Sequence, residues 1–196
     1  MRWRNTHDGW GLVSIAFHWV FALVIVGLFA IGLYMVDLGY TDPLSNVLPE
    51  WHRSLGLLLG AALLARLAWR FLSPPPAPLP NYQRIEHVMA VLMHWVLYLL
   101  MIAIIVSGYF ISTSDGRGVS VFDWFEVPSV TGQVNNLEDL SGQIHYWGAW
   151  ILIVLSAMHA LAALKHHFID HDRTLRRMLN PASTNHQTSD NNRRTP

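Results

Sequence analysis

The chain has 196 residues, 52% of them hydrophobic and only 13% charged, with a formal net charge of zero, whereas soluble domains carry about 25% charged residues. That balance describes an integral membrane protein of one domain and gives no electrostatic case for nucleic acid as a partner. The lack of cysteine excludes disulfides, iron–sulfur clusters, thiolate haem ligation and thiol catalysis. Histidine, with eleven residues, is plentiful.

Arg2 and Arg4 precede a first apolar run over about 13–35, which ends at the turn-forming stretch from Asp37 to Pro43. This run is too long for a signal-peptide core and has no small-residue cleavage pattern after it, so it reads as a retained helix. A second run covers about 51–72 and stops at Ser73-Pro74-Pro75-Pro76-Ala77-Pro78-Leu79-Pro80, where proline removes amide donors and a stiff, polyproline-like linker follows. The third run spans about 87–111 and the fourth about 143–168. Between them, residues 112–139 are polar with interspersed Phe122, Trp124 and Phe125, which read as interfacial anchors or a short surface helix. Residues 1–180 thus form the membrane domain, and the Asn/Ser/Thr-rich stretch 181–196 reads as a disordered tail.

Lys and Arg set the orientation. The N-terminus, the second connection with its helix ends (Arg66, Arg70, Arg84) and the C-terminal side (Lys165, Arg173, Arg176, Arg177) are basic, whereas the first connection has none until Arg53 and the third has only Arg117. Both termini are therefore expected in the cytoplasm. The predicted fold is all-α, a transmembrane up-down four-helix bundle.

The fourth run holds His145 and His159, which hydrocarbon tolerates only with partners. Fourteen residues is close to four turns, so both project from nearly one face, about 21 Å apart along the axis. Helix direction puts His18 and His159 near the cytoplasmic face and His52 and His145 near the outer face. Each pair can clamp one porphyrin between two neutral imidazoles. A lone histidine in an apolar run is most often a hydrogen-bonded core residue, but four that match in depth on three helices argue for ligation. Chlorophyll, with one axial ligand per ring, fits opposed pairs less well.

His94 stands apart, near mid-membrane with no other histidine at its depth; it is either a core histidine or a group that handles quinone or protons. His87, at the start of the third helix, is a second such candidate or an interfacial residue. His166, His167 and His171 cluster past the inner end of the fourth helix; metal binding is one reading, and a solvated helix end attracted to the dipole is the preferred one. Arg66 and Arg70, on one face four residues apart, either snorkel to lipid phosphate or grip a haem propionate. Arg53, beside His52, is placed to do the same on the outer side.

The chain resembles the prokaryotic cytochrome b561 family, small four-helix di-haem proteins that include the superoxide oxidase of bacterial inner membranes. The likeness covers about residues 10–180. It rests on Ser14-Ile15-Ala16-Phe17-His18-Trp19, Trp51-His52-Arg53-Ser54-Leu55-Gly56 and Arg66-Leu67-Ala68-Trp69-Arg70 before the proline run. Met93-His94-Trp95-Val96-Leu97-Tyr98, the His145 to His159 spacing, and Ala162 to Phe168 running into Asp172 to Met178 complete it. A departure is Ile105-Val106-Ser107-Gly108-Tyr109, which lacks the proline that many relatives place before the glycine. The resemblance implies two haem b groups ligated by His18, His52, His145 and His159, and electron transfer to ubiquinone at one side of the membrane. It also implies superoxide as one candidate donor at the outer face.

Two functions follow as expectations. One is an inner-membrane oxidoreductase of the superoxide:ubiquinone type, with quinone reduced on the cytoplasmic side near His87, Lys165 and His94, where basic and protonatable residues gather. The other is a haem b relay and anchor subunit that wires a soluble dehydrogenase or hydrogenase to quinone. Against superoxide stands the charge of the outer connections: Asp37, Asp42, Glu50, Asp115, Asp123, Glu126, Glu138 and Asp139 face only Arg53 and Arg117. Such a field repels an anion and attracts a cationic protein, unless Arg53 and the iron reverse it locally. A histidine-lined metal transporter is disfavoured because the histidines pair by depth instead of lining a path.

Overall fold

A computed structural model describes residues 2–39, 41–79 and 83–181; most of the predicted tail, 182–196, lies outside them. Four long helices dominate: α1 (Leu12–Val36), α2 (Leu44–Leu72), α3 (Arg84–Thr113) and α4 (Leu137–Phe168). Each is long and apolar enough to cross a membrane. A two-stranded hairpin, β1 (Val119–Val121) and β2 (Phe125–Val127), fills part of the α3–α4 connection, and a six-residue helix, α5 (Thr174–Leu179), follows α4.

The helices outrun the apolar segments at several ends. α2 starts seven residues before the expected position although Pro49 lies within it. The Asp42 carboxylate accepts the Leu44 N–H at 2.8 Å, which anchors a first turn ahead of the proline, and Pro49 then costs only one internal hydrogen bond. α3 starts at Arg84 behind a Gln83/Glu86 capping box, in which side chains satisfy otherwise orphaned amides. α4 gains a polar first turn with Glu138 and Asp139, acids that suit the positive end of the helix dipole.

The aromatic outer loop forms the β-hairpin, not a surface helix. Val121 is fully buried and Val119 nearly so, while Phe122 and Asp123 turn the chain with left-handed φ of 48° and 56°. The buried Ser54 hydroxyl of α2 accepts the Phe122 N–H at 3.0 Å, and the Phe122 ring meets Trp51 edge-on at 5.5 Å. The hairpin is thereby fastened to the start of α2. Trp124 and Phe125 remain exposed, as interfacial anchors would.

α1 packs along α2 and α3 along α4, whereas α1 and α4 touch sparsely. The bundle is two helical hairpins with a loose seam between them. A compact plug of Phe21, Leu59, Leu63, Tyr98, Met101 and Leu152 closes the middle of the seam. Most other large apolar side chains point outward, the arrangement expected where lipid is the solvent. At the N-terminal end, the Asn5 amide donates to the Ser73 and Pro74 carbonyls at 2.7 and 3.1 Å. There Arg177 donates to the Asp8 and Ala77 carbonyls, which ties N-terminus, proline linker and α5 together.

Candidate functional site: two histidine pairs across the seam

Both depth-matched pairs meet across the seam. His18 of α1 faces His159 of α4 with ring centroids 6.2 Å apart, and His52 of α2 faces His145 of α4 at 5.9 Å. A metal–imidazole bond is about 2 Å, so two imidazoles on opposite sides of one metal ion place their centroids about 6 Å apart. Both pairs already stand at that spacing.

The hairpin-end pair is built in detail. His145 Nδ1 lies 2.9 Å from the Ile104 carbonyl, an acceptor only, so Nδ1 carries the proton and Nε2 keeps its lone pair for a ligand. Ser107 Oγ donates to the same carbonyl at 3.0 Å. Glycines back both rings: a Cβ on Gly32 would stand 3.3 Å from His52 Cε1, and one on Gly108 2.9 Å from His145 Cε1. Around the pair opens a cavity of about 610 Å³ lined by His52, Arg53, Gly56, Tyr109, His145 and Trp150 among others. Small-molecule and cofactor sites run about 300–1,000 Å³. At its rim, a hydrogen bond from the Arg117 guanidinium, with Nε 2.6 Å from Oδ2, holds the Asp115 carboxyl below its ordinary range. Ligands, tautomer, glycine clearance and volume all fit a haem here.

The N-terminal-end pair has the spacing without the space. The cavity at His18 is about 60 Å³, lined by Arg66, Trp69, Arg70, His94 and Tyr98 among others, against about 610 Å³ at the hairpin end. A porphyrin there would have to displace the side chains that now fill the gap.

His94 departs from the expectation of isolation. Its ring lies 5.1 Å from that of His159, so two histidines, His18 and His94, neighbour His159. His94 is ten residues past Arg84 and His159 nine before Phe168; on antiparallel helices these are the same depth. Arg66 stacks over Phe21 at 4.8 Å and Tyr98 at 5.4 Å, and Arg70 over Trp95 and Tyr98. No carboxylate pairs with Arg66 among the described residues, so this inward-facing cation lacks a counter-anion of the kind a propionate supplies.

The residues expected at a quinone site sit in different surroundings. His87 is exposed, and the Lys165 ammonium bridges Glu86 at 3.2 Å and Asp170 at 2.7 Å. No hydrogen bond or ring contact joins His87, His94 and Lys165 among the described residues.

A family model described as "Prokaryotic cytochrome b561" matches residues 9–181. The chain belongs to this family. It is 47% identical over 186 residues to "Cytochrome b561 homolog 2" of Escherichia coli (strain K12), spanning 95% of this chain and 99% of that protein. It is 29% identical over 181 residues to "Probable superoxide oxidase CybB" of Yersinia pestis, spanning 88% and 97% respectively. "Cytochrome b561 homolog 1" of E. coli is 29% identical over 170 residues, 85% of this chain and 94% of that protein. The protein is thus a bacterial membrane cytochrome of a family that binds haem b and carries electrons. Haem, when bound, would supply one-electron chemistry; His52 and His145 are the imidazoles that would hold it at the hairpin end, where the Ile104 carbonyl fixes the His145 tautomer and the cavity walls are largely apolar.

Proposed function

We propose that this cytochrome b561 holds two haem b groups, one ligated by His18 and His159 and the other by His52 and His145, and passes electrons from the hairpin side to ubiquinone at the N-terminal side. The observation that carries the reading is the pair of facing histidines at metal-bridging distance at each end of the seam; haem at the N-terminal end requires the side chains around the smaller cavity there to move aside. Arg66 and Arg70 are the propionate partners at one level and Arg53 at the other. The distribution of lysines and arginines supports a cytoplasmic location for both termini, and the resemblance supports the inner membrane of a bacterium.

On this reading the donor meets the hairpin face. Superoxide is the candidate that the resemblance to superoxide oxidases supports. The acidity of that face instead favours a cationic protein donor, the setting of an electron-relay subunit. Ubiquinone reduction takes up protons, and Lys165 and His87 stand on the side from which protons come. Stopped-flow reduction of the purified protein by superoxide, with and without ubiquinone, decides between the donors. Rapid haem reduction followed by quinone-dependent reoxidation supports the oxidoreductase; haems that stay oxidised under superoxide assign the protein to a relay.

A further inference from the structure

Outside the histidine pairs, the end of α4 and the start of α3 form a second cluster of ligating side chains. Donor atoms of Glu86, His166 and Asp170 all lie within 4.8 Å of one another. His166 Nδ1 stands 2.9 Å from Asp170 Oδ2 and 2.9 Å from Asp172 Oδ2. Lys165 Nζ lies 2.7 Å from that same Asp170 oxygen and 3.2 Å from Glu86 Oε1.

The backbone builds this arrangement. Glu86 is held by the α3 capping box, its Oε2 accepting the Gln83 N–H at 3.3 Å, which leaves Oε1 turned toward α4. Past the end of α4 the chain folds back on the last turn: the Asp170 N–H donates to the Lys165 carbonyl at 3.2 Å and the Asp172 N–H to the His166 carbonyl at 3.0 Å. Two carboxylates are so placed beside one imidazole, and a third arrives from another helix.

One imidazole nitrogen with carboxylate oxygens is a ligand set of the zinc class. With bonds of about 2.0–2.2 Å, tetrahedral ligands stand about 3.4 Å apart, a spacing that small side-chain rotations reach from the distances present. The group already attracts a cation, since the Lys165 ammonium joins Glu86 to Asp170. We infer that Glu86, His166 and Asp170 form a binding site for a divalent transition-metal ion of the zinc class, with the Lys165 ammonium as its built-in competitor. Metal binding would clamp the start of α3 to the end of α4 and release Lys165 from both carboxylates.

The test is equilibrium dialysis of Zn²⁺ against the purified haem-loaded protein, with haem absorption as the check on folding. One tight zinc per chain is expected. Glu86→Gln, His166→Ala and Asp170→Asn should each weaken it at least about tenfold, and His7→Ala should leave it at the parental affinity. Lys165→Met should tighten it, because the competing ammonium is gone; a merely structural lysine would not give that sign. Zinc X-ray absorption of the parent should show a single imidazole among oxygen ligands. Parental affinity in all three ligand variants overturns the assignment, as does weaker or unchanged binding in Lys165→Met, or a zinc shell with two or more imidazoles. Should the ligand variants fail to load haem, the Lys165→Met affinity and the absorption spectrum of the parent still decide.

Discussion

Gly108→Ala is the substitution through which the hairpin-end site can be read most sharply. A methyl group there would stand 2.9 Å from His145 Cε1 and 3.1 Å from Nδ1, whereas carbon contacts are relaxed at about 3.5–4.0 Å. The imidazole must retreat by roughly 0.5–1 Å, yet its Nδ1 is anchored 2.9 Å from the Ile104 carbonyl, one turn earlier on the helix that carries the new methyl. Either that hydrogen bond is lost, at about 1 kcal/mol, or the site is overpacked, at about 1–3 kcal/mol. At about 1.4 kcal/mol per factor of ten, haem at this level should bind roughly 5- to 150-fold more weakly and titrate at a shifted potential. The assay is haem content per chain after detergent exchange, with a redox titration. Gly27→Ala, where a Cβ meets nothing within 4 Å, is the control and should behave as the parent. If Gly108→Ala keeps full haem content at the parental potentials, the backing-glycine argument is wrong.

Arg66→Ala should lower the potential of the His18/His159 haem by tens of millivolts, because it removes a cation that favours the reduced form; an unchanged redox titration would leave Arg66 only its contacts with Phe21 and Tyr98. If superoxide is the donor, its rate of haem reduction should rise with ionic strength, since salt screens the acidic hairpin face; a falling rate would show that Arg53 and Arg117 dominate locally. Lys165→Ala and His87→Ala proteins that retain their haems should reduce ubiquinone more slowly than the parent. Parental rates in both, with a slow Arg53→Ala, would move the quinone site to the hairpin side.

The histidine pairs were legible in the sequence because a helix converts residue number into depth at a fixed rise, and four long apolar runs fixed the directions. The same rule applied to His94 sets it seven residues past the expected start at 87 against nine for His159 before 168, so the shared level was legible, contrary to the expectation that His94 stands apart; counted from Arg84 and Phe168 the two stand at ten and nine. The hairpin left a signal that the aromatic residues obscured, since Val119-Ser120-Val121 and Phe125-Glu126-Val127 both alternate around a turn-favouring Asp123. The early start of α2 was hidden by Pro49, which punctuates a sequence more strongly than it disrupts a first turn secured by Asp42. The roles of Gly32 and Gly108, the Ile104 carbonyl and the Lys165 bridge depend on which side chains face which across helices. No local pattern carries that information.

The central claim, one haem for each histidine pair, is tested most directly by pyridine haemochrome counts on purified parent and single-alanine variants, each with its spectrum. The account predicts two haems per chain in the parent, loss of one and the same centre in His18→Ala and His159→Ala, and loss of the other in His52→Ala and His145→Ala. A single haem in the parent, or the same centre missing from the His18→Ala and His145→Ala proteins, would contradict it.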